Sequence, residues 1–169
     1  MEEALNKSNR PLIWFHCASL GEFEQGRPVI ESIRDQYPQY RILLTFFSPS
    51  GYEVRKNYSG ADLVFYLPMD SRTNANRFIE LTKPKMAFFI KYETWFHYLS
   101  VLKERQIPCL LISGILLESQ FKFPPWGNFM KSIFDSFTYL FAQSEPTISL
   151  LKKYKITASY GFGGDTRFD

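Results

Sequence analysis

IWFHCASLGEFEQGRPVIESIR, residues 13–34, changes character halfway along. It opens as a short, almost unbroken apolar run, the pattern of a strand covered on both faces. It closes with Phe23, Ile30 and Ile33 at helical spacing, continued by Tyr37. Between the halves stands Ser19-Leu20-Gly21-Glu22, where Gly21 allows a tight turn. The first free N–H groups of the helix then face outward, as an anion site requires. Glu22 stands at that edge, where the ionised form of a carboxylate is favoured. It reads either as a helix cap or as a general base that takes a proton from a substrate hydroxyl. Pro28 implies that the helix starts near it or is kinked there.

The same alternation recurs along the chain. PLIWFHCA (11–18), RILLTFF (41–47), DLVFYL (62–67), MAFFI (86–90), CLLISG (109–114), YLFAQ (139–143) and ASYGF (158–162) read as strands. Helical spacing lies between them: Ala75, Phe78, Ile79 and Thr82 before a Lys83-Pro84 stop; Trp95, Leu99 and Leu102; Phe129, Met130, Ile133 and Phe137; and a helix opened by Ser144-Glu145-Pro146. Strand-helix alternation predicts an α/β fold with a doubly wound parallel sheet of Rossmann-like type. Ligands of such sheets bind at the carboxyl ends of the strands, near the switch in strand order.

The 169 residues suffice for one domain with a real core, spanning 1–169 with a polar tail at 1–10. Hydrophobic residues at 45% and charged residues at 22% argue against disorder. Aromatics reach 18%, which suits an aromatic core or a surface that meets a partner or a membrane. A net charge of +3 fits an anionic partner only weakly, and no base-stacking motif or long Lys/Arg run points to nucleic acid. Cys17 and Cys109, each in an apolar run, read as buried thiols of a reducing compartment. Two histidines, His16 and His97, argue against a metal site, and nothing calls for a cofactor. The apolar run CLLISGILL is interrupted by Ser113 and Gly114, short of the ~20 residues a membrane span needs.

The strand ends therefore carry the functional expectations. After the second strand, Ser48-Pro49-Ser50-Gly51 reads as an oxyanion or phosphate pocket or as a plain turn. After the third, Asp70 reads as a helix cap; after the fourth, Lys91 and Glu93 stand in KYETW, with Glu93 placed as Glu22 is. If strands one and four flank the switch point, both carboxylates face one cleft, and an ion pair with Lys91 is the alternative. Ser19, Gly21, Ser48, Ser50, Gly51 and Lys91 are the residues expected to bind a ligand at these strand ends. In the crossover 116–134, Phe121, Phe123 and Trp126 are expected at an acyl boundary, with Lys122 and Lys131 near anionic head groups; the alternative buries them in the core. GFGGDTRFD (161–169) reads as a bend that starts an interdomain linker.

IWFHCASLGE, YPQYRILLTFFSPSGYE, YLPMD, KYETW, the GIL at Gly114, FAQSE and GDTRFD, in this order, resemble the amino-terminal half of 3-deoxy-D-manno-octulosonic acid (Kdo) transferases. The resemblance covers nearly everything from Pro11 onward. It implies the first of two Rossmann-like domains in the glycosyltransferase-B arrangement. This half would bind the lipid A precursor (lipid IVA), and a second domain, absent from this chain, would bind the CMP-Kdo donor. It also implies inverting transfer at the cytoplasmic face of a bacterial inner membrane, with no cofactor. Glu22 would be the base, and Glu93 and Arg167 would assist charge in the transition state. The chain departs from the family pattern at Lys91, where an acidic residue is usual, at Phe96-His97 in place of Pro-Asn, and at Arg167 in place of lysine. Most family members begin with a membrane anchor, which the polar start MEEALNKSNR does not resemble. Two other readings are an anionic-lipid-binding module without catalysis and a small hydrolase using Ser19 with His16. The hydrolase lacks a G-x-S-x-G elbow.

Overall fold

The computed structural model describes residues 2–6, 8–91, 94–123 and 125–168. Seven parallel strands form one sheet in the order β3-β2-β1-β4-β5-β6-β7. They are β1 (Leu12–His16), β2 (Arg41–Phe46), β3 (Leu63–Tyr66), β4 (Met86–Ile90), β5 (Cys109–Gly114), β6 (Tyr139–Ala142) and β7 (Ser159–Phe162). All seven expected strands are present, trimmed by at most a few residues. Every residue of the inner strands β1 and β2 is buried, while the edge strands β3 and β7 are partly exposed. That is how continuous apolar runs behave when both sheet faces are covered.

The helices are α1 (Glu2–Leu5), α2 (Leu20–Gln36), α3 (Pro49–Arg55), α4 (Arg72–Thr82), α5 (Phe96–Glu104), α6 (Trp126–Phe134) and α7 (Glu145–Lys153). They divide the core in two. Phe23 and Ile30 of α2 pack with Phe15, Leu44 and Phe46 on one face of the sheet. On the other, α4 to α7 pack around Trp14, Leu43, Phe89 and Leu111. The alternation of strand side chains sends Trp14 to one core and its neighbours Ile13 and Phe15 to the other. Within the second core the Trp14 indole N–H donates to Thr45 Oγ1 at 2.8 Å, and His16 Nδ1 lies 2.9 Å from the same oxygen. Both cysteines are buried and neither forms a disulfide.

The structure departs from the sequence reading at both ends of the first segment. Residues 2–5 are helical rather than a tail, and Leu5 joins the core. What holds them is Arg41, itself 5% exposed: its guanidinium donates to the carbonyls of Ala4 (3.0 Å), Leu5 (2.9 Å) and Ser8 (3.1 Å). Pro28 neither starts nor ends α2, which continues on both sides of it. Proline has no N–H to give the Glu24 carbonyl, and the packing of Phe23 and Ile30 keeps the helix together across that gap.

Arg41→Leu should release α1 and leave three carbonyls without their donor. The expected loss is about 2–3 kcal/mol in urea unfolding, with the far-UV spectrum largely kept. A variant as stable as the parent would mean that α1 adds nothing.

Candidate active site

β1 pairs with β2 on one side and with β4 on the other, so the order switches between β1 and β4. The segments that leave these two strands flank the resulting crevice. On the β1 side, Ser19 caps α2. Its Oγ accepts from the Glu22 N–H (3.4 Å), and Glu22 Oε2 accepts from the Ser19 N–H (3.0 Å). Both halves of a capping box are thus made, and the carboxylate of Glu22 is fixed at the crevice by its own backbone. Gly21 does not make the turn. It lies inside the first turn of α2, its φ is not positive, and an added Cβ would come no closer than 4.0 Å to Ser19 Oγ.

The β2–α3 turn is bound to the same place. The N–H groups of Phe47 and Ser48 donate to the Ala18 carbonyl at 3.3 and 2.7 Å. Ser48 caps α3 through the Ser50 N–H, and the two hydroxyls lie 2.8 Å apart. Gly51 is buried, and a Cβ there would meet the Phe46 ring at 2.4 Å and the Leu20 nitrogen at 3.1 Å. Its part is to let α3 approach the start of α2. On the β4 side, Lys91 turns in the left-handed region (φ 72°) while its N–H donates to the Ile112 carbonyl at 2.9 Å. Strain at a strand end beside a crevice marks a place where direction matters more than local energy. Glu93 lies outside the described residues. Trp95 closes this side, its ring edge-on to His16 (4.8 Å) and Phe47 (5.0 Å). Asp70 does cap a helix, but α5 rather than α4: it accepts from the N–H groups of His97 and Tyr98, while Ser71 caps α4. His16 Nδ1 lies against Thr45 Oγ1, and the Ser19 hydroxyl serves the α2 cap.

A cluster that the sequence did not announce completes the crevice. After β7 the chain folds back over the ends of β5 and β6 and the first half of α2. Gly164 makes the return, with φ 71°, a conformation that suits a residue without Cβ. Asp165 then receives Gln25 Nε2 on Oδ1 (3.0 Å) and Gln143 Nε2 on Oδ2 (2.8 Å). Arg167 adds its Nε on Oδ1 (2.9 Å) and its second guanidine nitrogen on Oδ2 (2.5 Å). The Thr166 hydroxyl donates to the Gln25 carbonyl, and the Ser113 hydroxyl to the Gly164 carbonyl (3.1 Å). Segment 163–167 is therefore bonded to α2, β5 and the end of β6. Gln25 follows Glu22 by one helical turn, and residues so spaced share a helix face. The Arg167–Asp165 pair and Glu22 thus belong to the same end of α2. Arg167 was expected at the site; Gln25, Ser113, Gln143, Asp165 and Thr166 were not. The available signal was polar residues set into apolar strands, Ser113 in β5 and Gln143 after β6.

The crossover between β5 and α6 is split in character. Phe121 is 6% exposed and stacks on Tyr154 at 4.1 Å, so its expected place at an acyl boundary is corrected: it is core. Phe123 and Trp126 are 72% and 54% exposed. Trp126 leans on Phe129 (5.2 Å), and Phe129 on Phe96 (5.0 Å) at the start of α5, so this ridge borders the crevice edge. Lys122 is exposed, whereas Lys131 pairs with Asp135 at 2.6 Å. A cavity of about 500 Å³ lies at the opposite ends of the strands beside Ile13 and Met86, away from all of these residues.

The profile of the family described as 3-deoxy-D-manno-octulosonic-acid transferase (kdotransferase) matches residues 1–169. Among curated relatives, the 3-deoxy-D-manno-octulosonic acid transferase of Chlamydia muridarum is 32% identical over 72% of this chain and 29% of its own length. That of Aquifex aeolicus is 33% identical over 64% and 29%, and that of Rickettsia felis 27% identical over 91% and 33%. The chain thus spans a third or less of the length of these relatives. Among solved structures, UDP-GlcNAc 2-epimerase from Neisseria meningitidis superposes with a TM-score of 0.65 at 16% identity, over 92% of this chain and 46% of that one. The epimerase from Methanocaldococcus jannaschii gives 0.61 at 14% identity, over 92% and 45%. These two share the fold with this chain.

The hydrogen bonds from Arg167, with help from Gln25, hold the Asp165 carboxyl below its ordinary 3.8, at about 2. A carboxyl depressed in the folded state stabilises the fold above its unfolded value, and that contribution is lost as pH falls through the folded value. Asp165→Asn should therefore melt a few degrees below the parent near pH ~6, and the gap should close as pH falls from about 4 toward about 2. A gap that stays constant over this range would remove Asp165 from the acid response.

Proposed function

The chain belongs to the Kdo transferase family, and we propose that it is the acceptor-binding half of an enzyme that transfers Kdo from CMP-Kdo to the lipid A precursor, lipid IVA, with inversion. The observation that carries this reading is the place of Glu22: a carboxylate fixed by a capping box at the topological switch, at the same end of α2 as the Arg167 guanidinium. A sugar hydroxyl ionises far above neutral pH and attacks poorly unless a base takes its proton as the new bond forms. In the proposed step the acceptor oxygen bonds to the anomeric carbon of Kdo while the bond from that carbon to the CMP phosphate oxygen breaks. The proton passes to Glu22 and CMP leaves as an anion. Arg167, and Glu93 as the family resemblance implies, assist charge in that transition state. The donor would be held chiefly by a second domain outside this chain, and no metal or cofactor takes part.

The exposed ridge gives the reading its second support. A lipid with several acyl chains is met at the membrane, because extracting it costs about 0.8 kcal/mol per CH₂. Phe123, Trp126 and Leu117 (49% exposed) offer apolar surface next to Lys122, on the side of the molecule where α5 begins. Such a surface suits the cytoplasmic face of a bacterial inner membrane, with the lipid head group reaching the crevice.

Glu22→Gln separates the two roles of this side chain, since glutamine also serves a capping box. In the full-length enzyme it should leave the melting temperature nearly unchanged and lower transfer by ~10²–10⁴-fold. Near-normal turnover would reduce Glu22 to a cap.

At the ridge, Phe123→Ser with Trp126→Ser should weaken sedimentation with anionic vesicles by ~10-fold or more without unfolding the protein. Phe121→Ser should instead cost about 3–5 kcal/mol of stability. Unchanged vesicle binding by the double variant would overturn the membrane role.

A further inference from the structure

We propose that Asp165 is a positioning residue: its carboxylate, gripped from behind by Gln25 and Gln143, sets the direction of the Arg167 guanidinium. The proposal rests on the charge-assisting role given to Arg167 above. An ion pair between exposed side chains two residues apart contributes little by itself, because both partners move and water screens them. Arg167 is of that kind, with its side chain 45% exposed, but Asp165 is only 16% exposed and is not free to follow it. The two glutamine contacts come from different elements, α2 and the end of β6, and Gln25 is fully buried. The backbone on either side is fixed as well, by the Ser113 hydroxyl on Gly164 and by the Thr166 hydroxyl on Gln25. The guanidinium meets this fixed carboxylate through two nitrogens on two oxygens, a geometry that sets the plane of the fork as well as its distance.

The amide orientations point the same way. An ionised carboxylate only accepts, so both glutamines must turn their NH₂ groups toward it. Their Oε1 atoms are then left buried with no hydrogen-bond donor among the described residues. Each such buried acceptor disfavours folding. Apolar side chains at 25 and 143 would hold a chain end at lower cost, but they would not hold a negative charge in one place. The arrangement makes sense if what must be held is the carboxylate, and through it the arginine.

The test is a double-mutant cycle in the full-length enzyme, with kcat and KM measured for sugar transfer and melting curves run on every variant. Asp165→Asn should lower kcat by ~10–100-fold with KM changed less than about threefold, as expected when a group is misdirected rather than lost from binding. In an Arg167→Gln background the same change should cost less than about twofold, because its effect passes through Arg167. Gln143→Met keeps the charge and loosens one grip; it should lower kcat by ~3–10-fold, again only while Arg167 is present, and it carries the comparison if Asp165→Asn does not fold. If the effects of both variants multiply with that of Arg167→Gln, Asp165 is structural and this inference is wrong. If Arg167→Gln alone keeps the parent kcat, the role of Arg167 fails first and takes the inference with it.

Discussion

The position of β1 between two parallel neighbours is the constraint on which the rest depends. Its pairing with β2 and with β4 sends the chain away from the centre of the sheet in two directions, which opens a crevice where the directions part. Along the rim of that opening lie the start of α2, Ser48 and Ser50 at the start of α3, the left-handed Lys91, and the returning segment with Asp165. The same pairing divides the apolar side chains into two cores, so each helix that bounds the crevice rests on packed aromatic residues. Rigid elements hold a reacting group within tighter limits than a free loop does.

Two carboxylates at this rim carry structural bonds, and a part in the chemistry is proposed for each. Glu22 uses one oxygen to satisfy the N–H of Ser19, the residue that caps its own helix, and Asp165 satisfies donors from three places in the chain. A carboxylate has about four acceptor sites, so a structural bond does not exhaust it. In Glu22 the structural bond holds still the side chain to which the proposed step gives the proton. In Asp165 the bonds among the described residues are structural, and the proposed effect reaches the site through a neighbour.

The sheet was legible because burial on both faces leaves unbroken apolar runs, and all seven stood out in the sequence. The crevice was legible to the same extent, since a strand-turn-helix pattern places Glu22 without any coordinates. Other features depend on partners far along the chain. Gln25 looks like any polar residue of an amphipathic helix until Asp165, 140 residues later, arrives beside it. Phe121, Phe123 and Trp126 are alike in composition, and only the stacking of Phe121 on Tyr154 divides core from surface. Pro28 suggested a helix start or a kink, and packing on both sides of it carries α2 past that point. Gly21 gave a local turn signal, whereas the turn itself is made by the extended backbone of Ser19 (φ −135°, ψ 171°).

Arg41 shows how unevenly a structural contact can be written into a sequence. Its partners in the first segment are main-chain carbonyls, which every residue type supplies. Apart from Leu5, which the core requires, the side chains of α1 are not read by this clamp, so they are free to drift. Arg41 is not: lysine would bring one point of charge where a planar fork now reaches three carbonyls. Comparison of related chains position by position would therefore find residues 2–4 variable and would underrate the segment, because the instruction to fold it is stored at the start of the second strand.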